Sequence, residues 1–272
     1  MTRKIVLCAD DYGLTRPINA AIRELLTSQR INATSVMVVT PGFDRAEVEA
    51  LVAAAQGAQI GLHVTLTAPF APLTPFHPTR YGRFLPLSET LRLAIARRFD
   101  TETAATEIAA QVQAFAAAFG RAPDFLDGHQ HVQLFPQIRD AFLRVAAEQA
   151  PRAWVRQCGR WSPLPRRLRD PKGLLLDVLS FGFRRRAERL GLVANAAFAG
   201  TYDFSARPDF AALFPSFLDR LPDGGLVMCH PGFVDDVLVG LDPLTRTREV
   251  EHAYLAGDDF PKLLAMNKVT LS

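Results

Sequence analysis

Residues Lys4 to Gly13, KIVLCADDYG, constrain the fold of this 272-residue chain more than any other stretch. The unbroken apolar run from Ile5 to Ala9 is typical of a strand buried on both faces of a parallel sheet. The run ends in two adjacent carboxylates, Asp10 and Asp11. Because unpaired buried charge is costly and parallel sheets place their chemistry at the carboxyl ends of strands, we expect one aspartate to hold a metal ion and the other to move a proton. The alternative from this stretch alone is that both carboxylates cap the following helix.

Strand patterns alternate with helix patterns along the whole chain. Strands are predicted at Thr34–Thr40, Gln59–Thr67, Ala153–Val155, Leu226–His230 and Val269–Leu271, and a short one begins at Phe125. Helices are predicted after Thr15 and Asp44, from about Ser88 and Thr103, and at Pro136–Ala150, Pro208–Leu221 and Thr245–Ala256. This alternation predicts a mainly parallel sheet that right-handed crossovers could close into a barrel. Without a linker or an internal repeat, residues 1–272 are expected to form one domain.

Composition narrows the class of protein. The chain is 49% hydrophobic and 22% charged, and its formal net charge of +3 is too small to indicate a nucleic-acid partner. Its cysteines lack the spacing of a zinc knuckle or a disulfide framework. The sequence has neither a secretory signal pattern nor an apolar run long enough to span a bilayer. We therefore expect a cytoplasmic protein, which could form a homo-oligomer.

Two segments break the regular pattern. Residues 68–87 are rich in proline and predict a lid or binding loop. Residues 157–190 are rich in arginine and are interpreted as a basic insertion outside the core, with a helix at about Leu174–Leu190. This insertion could meet an anionic substrate or a membrane surface, or it could be a solvated flap. Aromatic residues of these segments could stack on sugar rings or simply pack the loop: Phe70, Phe76, Tyr81, Phe84 and Trp161.

Polar residues follow several of the predicted strands. They are Asp10 and Asp11, His63, the group Asp127, His129 and His131, and His230. In a parallel barrel these strand ends share one face. A lone strand histidine is usually a satisfied core residue, but their joint placement favours a site. One aspartate with two histidines is a suitable ligand set for a divalent cation that keeps open positions.

Four motifs carry a family resemblance. They are ADDYG at 9–13, GLHVTLT at 61–67, LDGHQHVQLFP at 126–136 and MCHPGFVD at 228–235. In this order they resemble the YdjC-like carbohydrate deacetylases, which include chito-oligosaccharide deacetylases and the deacetylases of hopanoid glycolipid synthesis. The resemblance implies a distorted (β/α) barrel of mainly parallel strands, related to the polysaccharide deacetylases. It also implies removal of N-acetyl groups from an amino sugar of an oligosaccharide or glycolipid.

The resemblance also implies roles for individual residues. A divalent metal ion, Mg²⁺ or Zn²⁺, would be bound by Asp11, His63 and His129. Asp10 would be the general base and His230 the acid that protonates the leaving amine. Because Asp10 and Asp11 are neighbours, these two could exchange roles.

The third motif departs from the fullest family form, DSHHHVH, at Gly128, Gln130 and Gln133. The ligand set is retained, but the substrate contacts are open. From the residues, Asp127 could orient His129 or His131, or cap a turn.

Further residues near these strand ends have predicted roles. We expect His131 to support a metal ligand through a hydrogen bond or to contact substrate, and Arg156 could reach substrate oxygens. Arg248 and Glu251 predict a local ion pair on a helix, and His252 predicts a solvated surface residue.

The sequence as a whole predicts a hydrolase that uses metal-activated water on an acetylated amino sugar. Two other functions stay open at this stage. One is a barrel metallohydrolase that cleaves a phosphoester or a different amide. The other is a non-catalytic protein that binds sugar.

Overall fold

A sheet of parallel strands forms the centre of the computed structural model, which describes residues 2–160, 171–204 and 208–271. Within those residues the sheet has eight strands, in the order β5-β4-β3-β2-β1-β7-β6, and β8 pairs with the beginning of β1. The strands are β1 (Arg3–Tyr12), β2 (Ala33–Val36), β3 (Gln59–Val64), β4 (Phe125–Gly128), β5 (Trp154–Val155), β6 (Phe198–Ala199), β7 (Gly225–Cys229) and β8 (Val269–Leu271). β1 lies centrally between β2 and β7, which explains why its apolar run is continuous.

The two edges of this sheet meet. Isolated parallel bridges join Val155 to Ala194 and Arg160 to Phe198, so that the chain around β5 contacts the chain around β6. The closing strands are only two residues long, whereas β1 has ten, and the closure is therefore irregular. The predicted distorted (β/α) barrel is confirmed.

Helices cover the outside of the barrel. They are α1 (Arg16–Thr27), α2 (Arg45–Ala55), α3 (Leu87–Ile95), α4 (Thr101–Phe119), α5 (Ile138–Gln149), α6 (Pro171–Arg189), α7 (Phe210–Leu218), α8 (Asp236–Leu241), α9 (Arg246–Ala256) and α10 (Asp259–Met266). The predicted stripe of Ile18, Ile22 and Leu25 on α1 is fully buried against the sheet. Asp44 caps α2 as expected, because its carboxylate accepts the backbone N–H of Glu47 at 2.9 Å. No helix among the described residues has the length and apolar character needed to cross a bilayer.

Several predicted boundaries were wrong. β2 ends at Val36 rather than Thr40, because the chain then turns over the end of β1 and Met37 donates its backbone N–H to Tyr12. β3 ends at Val64 rather than Thr67. The short helices α8 and α10 were not predicted.

The lid loop and the basic insertion are packed where the structure describes them. Phe70, Phe76 and Phe84 of the loop are buried, whereas Tyr81 is exposed. α6 packs on α5, with the ring centroids of Phe183 and Phe142 6.0 Å apart. This helix is therefore not a free flap. Trp161 and the rest of residues 161–170 lie outside the described residues.

Candidate metal centre and cleft

The end of β1 turns two neighbouring carboxylates toward different partners. Asp11 has a φ of 72°, in the left-handed region that aspartate tolerates better than most residues. The register between β1 and β2 also shifts between Ala9 and Tyr12. As a result, Asp10 and Asp11 are both buried but contact different partners directly.

Asp11 lies next to two histidines. Its Oδ1 atom is 3.1 Å from Nδ1 of His129 and 3.4 Å from Nε2 of His63. One ligand atom from each of the three residues lies within 4.8 Å of the others, and all three residues are buried. The structure therefore brings together the three residues that the sequence analysis proposed as metal ligands.

Asp10 is held by Arg156. The guanidinium donates from Nη1 to Oδ2 at 2.6 Å and from Nη2 to Oδ1 at 2.7 Å, and the hydroxyl of Ser35 donates to Oδ1 at 3.2 Å. Burial alone would raise the pKa of Asp10, but the charge of Arg156 outweighs burial and lowers this pKa well below its usual range. Asp10 is therefore ionised at neutral pH.

Asp127 orients His63, not His129 or His131 as the sequence analysis proposed. The reason is the register of the sheet, in which His63 on β3 lies opposite Asp127 on β4. Oδ1 of Asp127 is 2.6 Å from Nδ1 of His63. Because a carboxylate oxygen accepts hydrogen bonds, Nδ1 of His63 carries a proton and Nε2 faces Asp11. The other oxygen of Asp127 is 2.6 Å from Nη2 of Arg156.

This environment changes the titration of His63. Burial alone would lower its pKa, but the carboxylates of Asp127 and Asp11 outweigh burial and raise the pKa to about 10. The pKa of Asp11 is shifted in the opposite direction. Burial would raise it, but Arg248 and the two histidines outweigh burial and hold it well below the usual value. Together these shifts favour an imidazolium beside a carboxylate before any cation binds.

Arg248 is a site residue that the sequence analysis missed. It is fully buried, and its Nη2 atom lies 2.7 Å from Oδ2 of Asp11 and 3.2 Å from Oδ2 of Asp242.

The predicted local ion pair between Arg248 and Glu251 was wrong. Glu251 instead accepts the backbone N–H of His230 at 2.6 Å and the hydroxyl of Tyr202 at 2.5 Å. Arg248 and Glu251 do lie one turn apart on a helix, as predicted. This face of α9, however, packs against the end of the barrel and does not face solvent.

His230 follows β7 and lines the same cleft. Its backbone is held by Glu251, and its ring meets the ring of Phe204 edge to face, with centroids 5.4 Å apart. Nδ1 of His230 is buried and has no hydrogen-bond partner among the described residues. The ring therefore retains a free polar atom beside the cleft.

His131 lies apart from the group around Asp11. Its Nδ1 atom is 3.5 Å from Sγ of Cys158, and its ring packs edge to face on Phe198. Burial and the nearby charge of Arg156 lower the pKa of His131 to about 3, so this imidazole is neutral at pH 7. The prediction for His252 was wrong, because this residue is buried, its ring meets the ring of Phe233 edge to face, and its Nε2 atom lies 3.3 Å from Oε2 of Glu24.

These groups surround a cleft of about 840 Å³ at the carboxyl ends of the strands. Its lining includes Asp10, Asp11, His63, His129, His131 and His230. Aromatic rings come from Tyr202 and Phe204, which follow β6, and not from the lid loop. Arg156 is not among the lining residues, because it is fully buried behind Asp10. Tyr202 and Phe204 closely follow β6, which was not among the predicted strands, and this is why the sequence did not point to the aromatic pair.

Solved structures first define the class of fold. A putative cellobiose-phosphate cleavage protein from Enterococcus faecalis matches all of this chain and 97% of its own, with a TM-score of 0.79 and 19% sequence identity. A CE4 esterase from Streptococcus mutans matches 100% of this chain and 85% of its own, with a TM-score of 0.52 and 13% identity. At these identities the similarity defines the barrel and not its chemistry.

Sequence comparison then identifies the family. The model of the YdjC-like protein family matches residues 4–266, and the chain belongs to this family. A chitooligosaccharide deacetylase from Escherichia fergusonii is 31% identical over 242 residues, which are 88% of this chain and 85% of that protein. One from Salmonella paratyphi B is 30% identical over 241 residues, with the same coverage.

Proposed function

We propose that this protein is a metal-dependent deacetylase that removes N-acetyl groups from an amino sugar of a saccharide or glycolipid. The observation that carries the proposal is the convergence of Asp11, His63 and His129 beside Asp10 and His230 in one cleft. The names of the sequence relatives support the same reaction and substrate class.

The three proposed ligands fit a divalent cation. Two imidazole nitrogens and a carboxylate oxygen within 4.8 Å of one another form a donor set suited to Zn²⁺, and Mg²⁺ remains compatible through the carboxylate. Asp127 supports His63 from behind, as outer-sphere carboxylates do in metal sites. When bound, such a cation lowers the pKa of a coordinated water and polarises the acetyl carbonyl.

Asp10 is proposed as the proton acceptor. It lines the cleft, and Arg156 keeps it ionised and fixes both of its oxygens. A carboxylate held in this way is ready at neutral pH to accept a hydrogen bond and then a proton from the attacking water. The strong stabilisation of its anion makes it a weaker base than a free carboxylate, which is the cost of this preorganisation.

His230 is proposed as the proton donor to the leaving amine. It follows β7, the strand next to β1, and lines the same cleft as Asp10, so acid and base can act on one bound amide. Glu251 and Tyr202 fix the backbone position of this histidine. The rings of Tyr202 and Phe204 offer apolar faces for a sugar ring in the same cleft.

The test is acetate release from N-acetylated chito-oligosaccharides and glycolipids by protein stripped with a chelator and then supplied with Zn²⁺ or Mg²⁺. We expect no release from stripped protein, recovery with metal, and loss of at least about a hundredfold in His129→Ala. His77→Ala is the matched control, since His77 is exposed in the lid loop and outside the cleft lining.

Two results would refute the proposal. Acetate release that persists unchanged without metal would remove the metal from the reaction. Phosphate release from phosphoesters, with no acetate release from any N-acetylated sugar, would favour the alternative metallohydrolase.

A further inference from the structure

α6 has one side that faces the protein and one that faces solvent. Phe183 and Ala187 on the inner side are buried, and Phe183 packs on Phe142 of α5. Arg186 anchors the same helix through an ion pair with Asp140 at 2.8 Å. The orientation of the helix, and hence of its outer side, is therefore determined by packing.

The outer side carries exposed apolar residues that do not pack against the hydrophobic core of the described chain. Leu175, Val178 and Phe181 are 39%, 65% and 59% exposed. Single exposed apolar residues are common in soluble proteins, but these lie three residues apart and form a continuous stripe along the first turns. Such a stripe indicates a surface that binds something.

The same side ends in positive charge. Arg185 and Arg189 follow Phe181 at spacings of four residues, so that they continue the stripe. The guanidinium of Arg185 lies 5.6 Å from the ring centroid of Phe181. Glu188 is the acidic residue of this last part of the helix, and it offsets one of the positive charges. The outer side is therefore apolar in its first half and net basic in its second.

We propose that this outer side of α6 is a docking surface for an anionic phospholipid bilayer. A bilayer of this kind offers both an apolar interior for Leu175, Val178 and Phe181 and negative headgroups for the arginines. A nucleic acid would match the charge but not the apolar stripe. A second copy of the chain, packed on the same face, would match the apolar stripe but would offer the same net basic surface rather than negative charge to Arg185 and Arg189.

The docking surface lies next to the cleft. Leu176 follows Leu175 directly in the helix and lines the cleft. The proposed docking surface and the cleft therefore border the same helix from its two sides. The docking itself is independent of the proposed function, whereas its use to reach the sugar of a membrane-embedded glycolipid rests on that function.

The test is co-sedimentation of the purified protein with vesicles, in the absence of any sugar. Vesicles of phosphatidylcholine mixed with phosphatidylglycerol are compared with vesicles of phosphatidylcholine alone. We expect the intact protein to bind the anionic vesicles more tightly, and to bind them less as salt is raised. Val178→Ser with Phe181→Ser should reduce this binding at least tenfold.

Charge is tested by Arg185→Gln with Arg189→Gln, which should weaken binding to the anionic vesicles about thirtyfold, as expected for two basic residues at an anionic surface. The matched control is Arg152→Gln with Arg220→Gln. This pair removes the same charge from exposed positions that precede β5 and β7, at the opposite end of the barrel. The control pair should change binding by less than about twofold. That result would show that the position of the two charges, and not the net charge alone, governs binding.

Three outcomes would overturn the docking proposal. They are failure of the intact protein to bind anionic vesicles at low salt, an equal loss in the control pair, and a concentration-dependent dimer that only Val178→Ser with Phe181→Ser abolishes. Circular dichroism and the unfolding midpoint establish that each variant is folded. Acetate release from a soluble oligosaccharide should be unchanged in all of these variants, so a failed docking experiment is distinct from a failed deacetylase assay.

Discussion

The two sides of the cleft each bury an arginine, and the two arginines differ in which carboxylate of the site they hold. On the side of β3, β4 and β5, Arg156 uses both Nη atoms on Asp10 and Asp127, and Asp127 also holds His63. On the side of β6, β7 and α9, Arg248 uses Nη2 on Asp11 and Asp242. Each guanidinium keeps one nitrogen without a hydrogen-bond partner in the described chain, Nε of Arg156 and Nη1 of Arg248.

This difference has a physical meaning. A bound cation can take over the task of an arginine that neutralises a metal ligand, but not that of an arginine that neutralises a proton acceptor. We infer that Arg156 supports Asp10 with or without a metal ion, and that Arg248 balances the charge of Asp11 when no cation is bound. The carboxylate of Asp11 lies between the two, because it contacts both histidines and Arg248.

The largest expected effect is at the residue shared by both sides. Asp11→Asn replaces a carboxylate with a neutral amide beside two histidines, and it should lower the affinity for Zn²⁺ by more than the 10–100-fold typical of losing an outer-sphere partner. Calorimetric titration of stripped protein measures this affinity. Asp258→Asn, at a position that is 95% exposed, is the control and should leave the affinity unchanged. Equal affinity of Asp11→Asn and the intact protein would remove Asp11 from the ligand set.

The next prediction compares the two buried arginines directly. Arg156→Met should lower the free energy of unfolding by about 3–5 kcal/mol, because it leaves the buried carboxylate of Asp10 without its bidentate partner and removes one partner of Asp127. Arg248→Met should also destabilise the stripped protein, but added Zn²⁺ should restore part of the loss, since a cation held by Asp11 replaces the lost charge.

Urea unfolding with and without metal measures both variants. Arg121→Met is the control, because Arg121 forms an exposed pair with Asp124 and its loss should cost only about 0–1 kcal/mol. If added Zn²⁺ stabilises Arg156→Met as much as Arg248→Met, the proposed division between the two sides is wrong.

The smallest effect concerns pH and the support of His63. Its pKa is raised to about 10, so a proton occupies this imidazole at neutral pH and must leave when a cation binds Nε2. Zn²⁺ affinity should therefore rise by about tenfold per pH unit between pH 7 and 9, with release of about one proton. Titration in buffers of different ionisation enthalpy counts that proton.

Asp127→Asn sharpens this prediction. It removes the charge that contributes most to the raised pKa of His63, so that the pH dependence should level off at a lower pH. The affinity at high pH should also fall about 10–100-fold, because the imidazole loses the carboxylate that orients it. An unchanged pH dependence in Asp127→Asn would show that Asp127 does not control this proton.

Local patterns predicted the framework well. The apolar run of β1, the buried stripe of α1 and the Asp44 cap depend on neighbours within a few residues, and all three were correct. The placement of polar residues at strand ends was also predictable, since parallel strands bring these ends to one face. The ends of β2 and β3 were not predictable, because they depend on a turn that packs over the end of β1.

The sequence by itself therefore determined the alternation of strands and helices, the mainly parallel sheet that follows from it, and the residues that gather at the carboxyl ends of its strands. Only the tertiary structure decided which charged groups bond to each other. Arg156 and Asp10 are separated by 146 residues, and Arg248 and Asp11 by 237, so no local spacing could pair them. Arg248 and Glu251 have the same spacing on their helix whether that face is directed to solvent or to the cleft. Their partners were therefore decided by the packing of the helix against the end of the barrel.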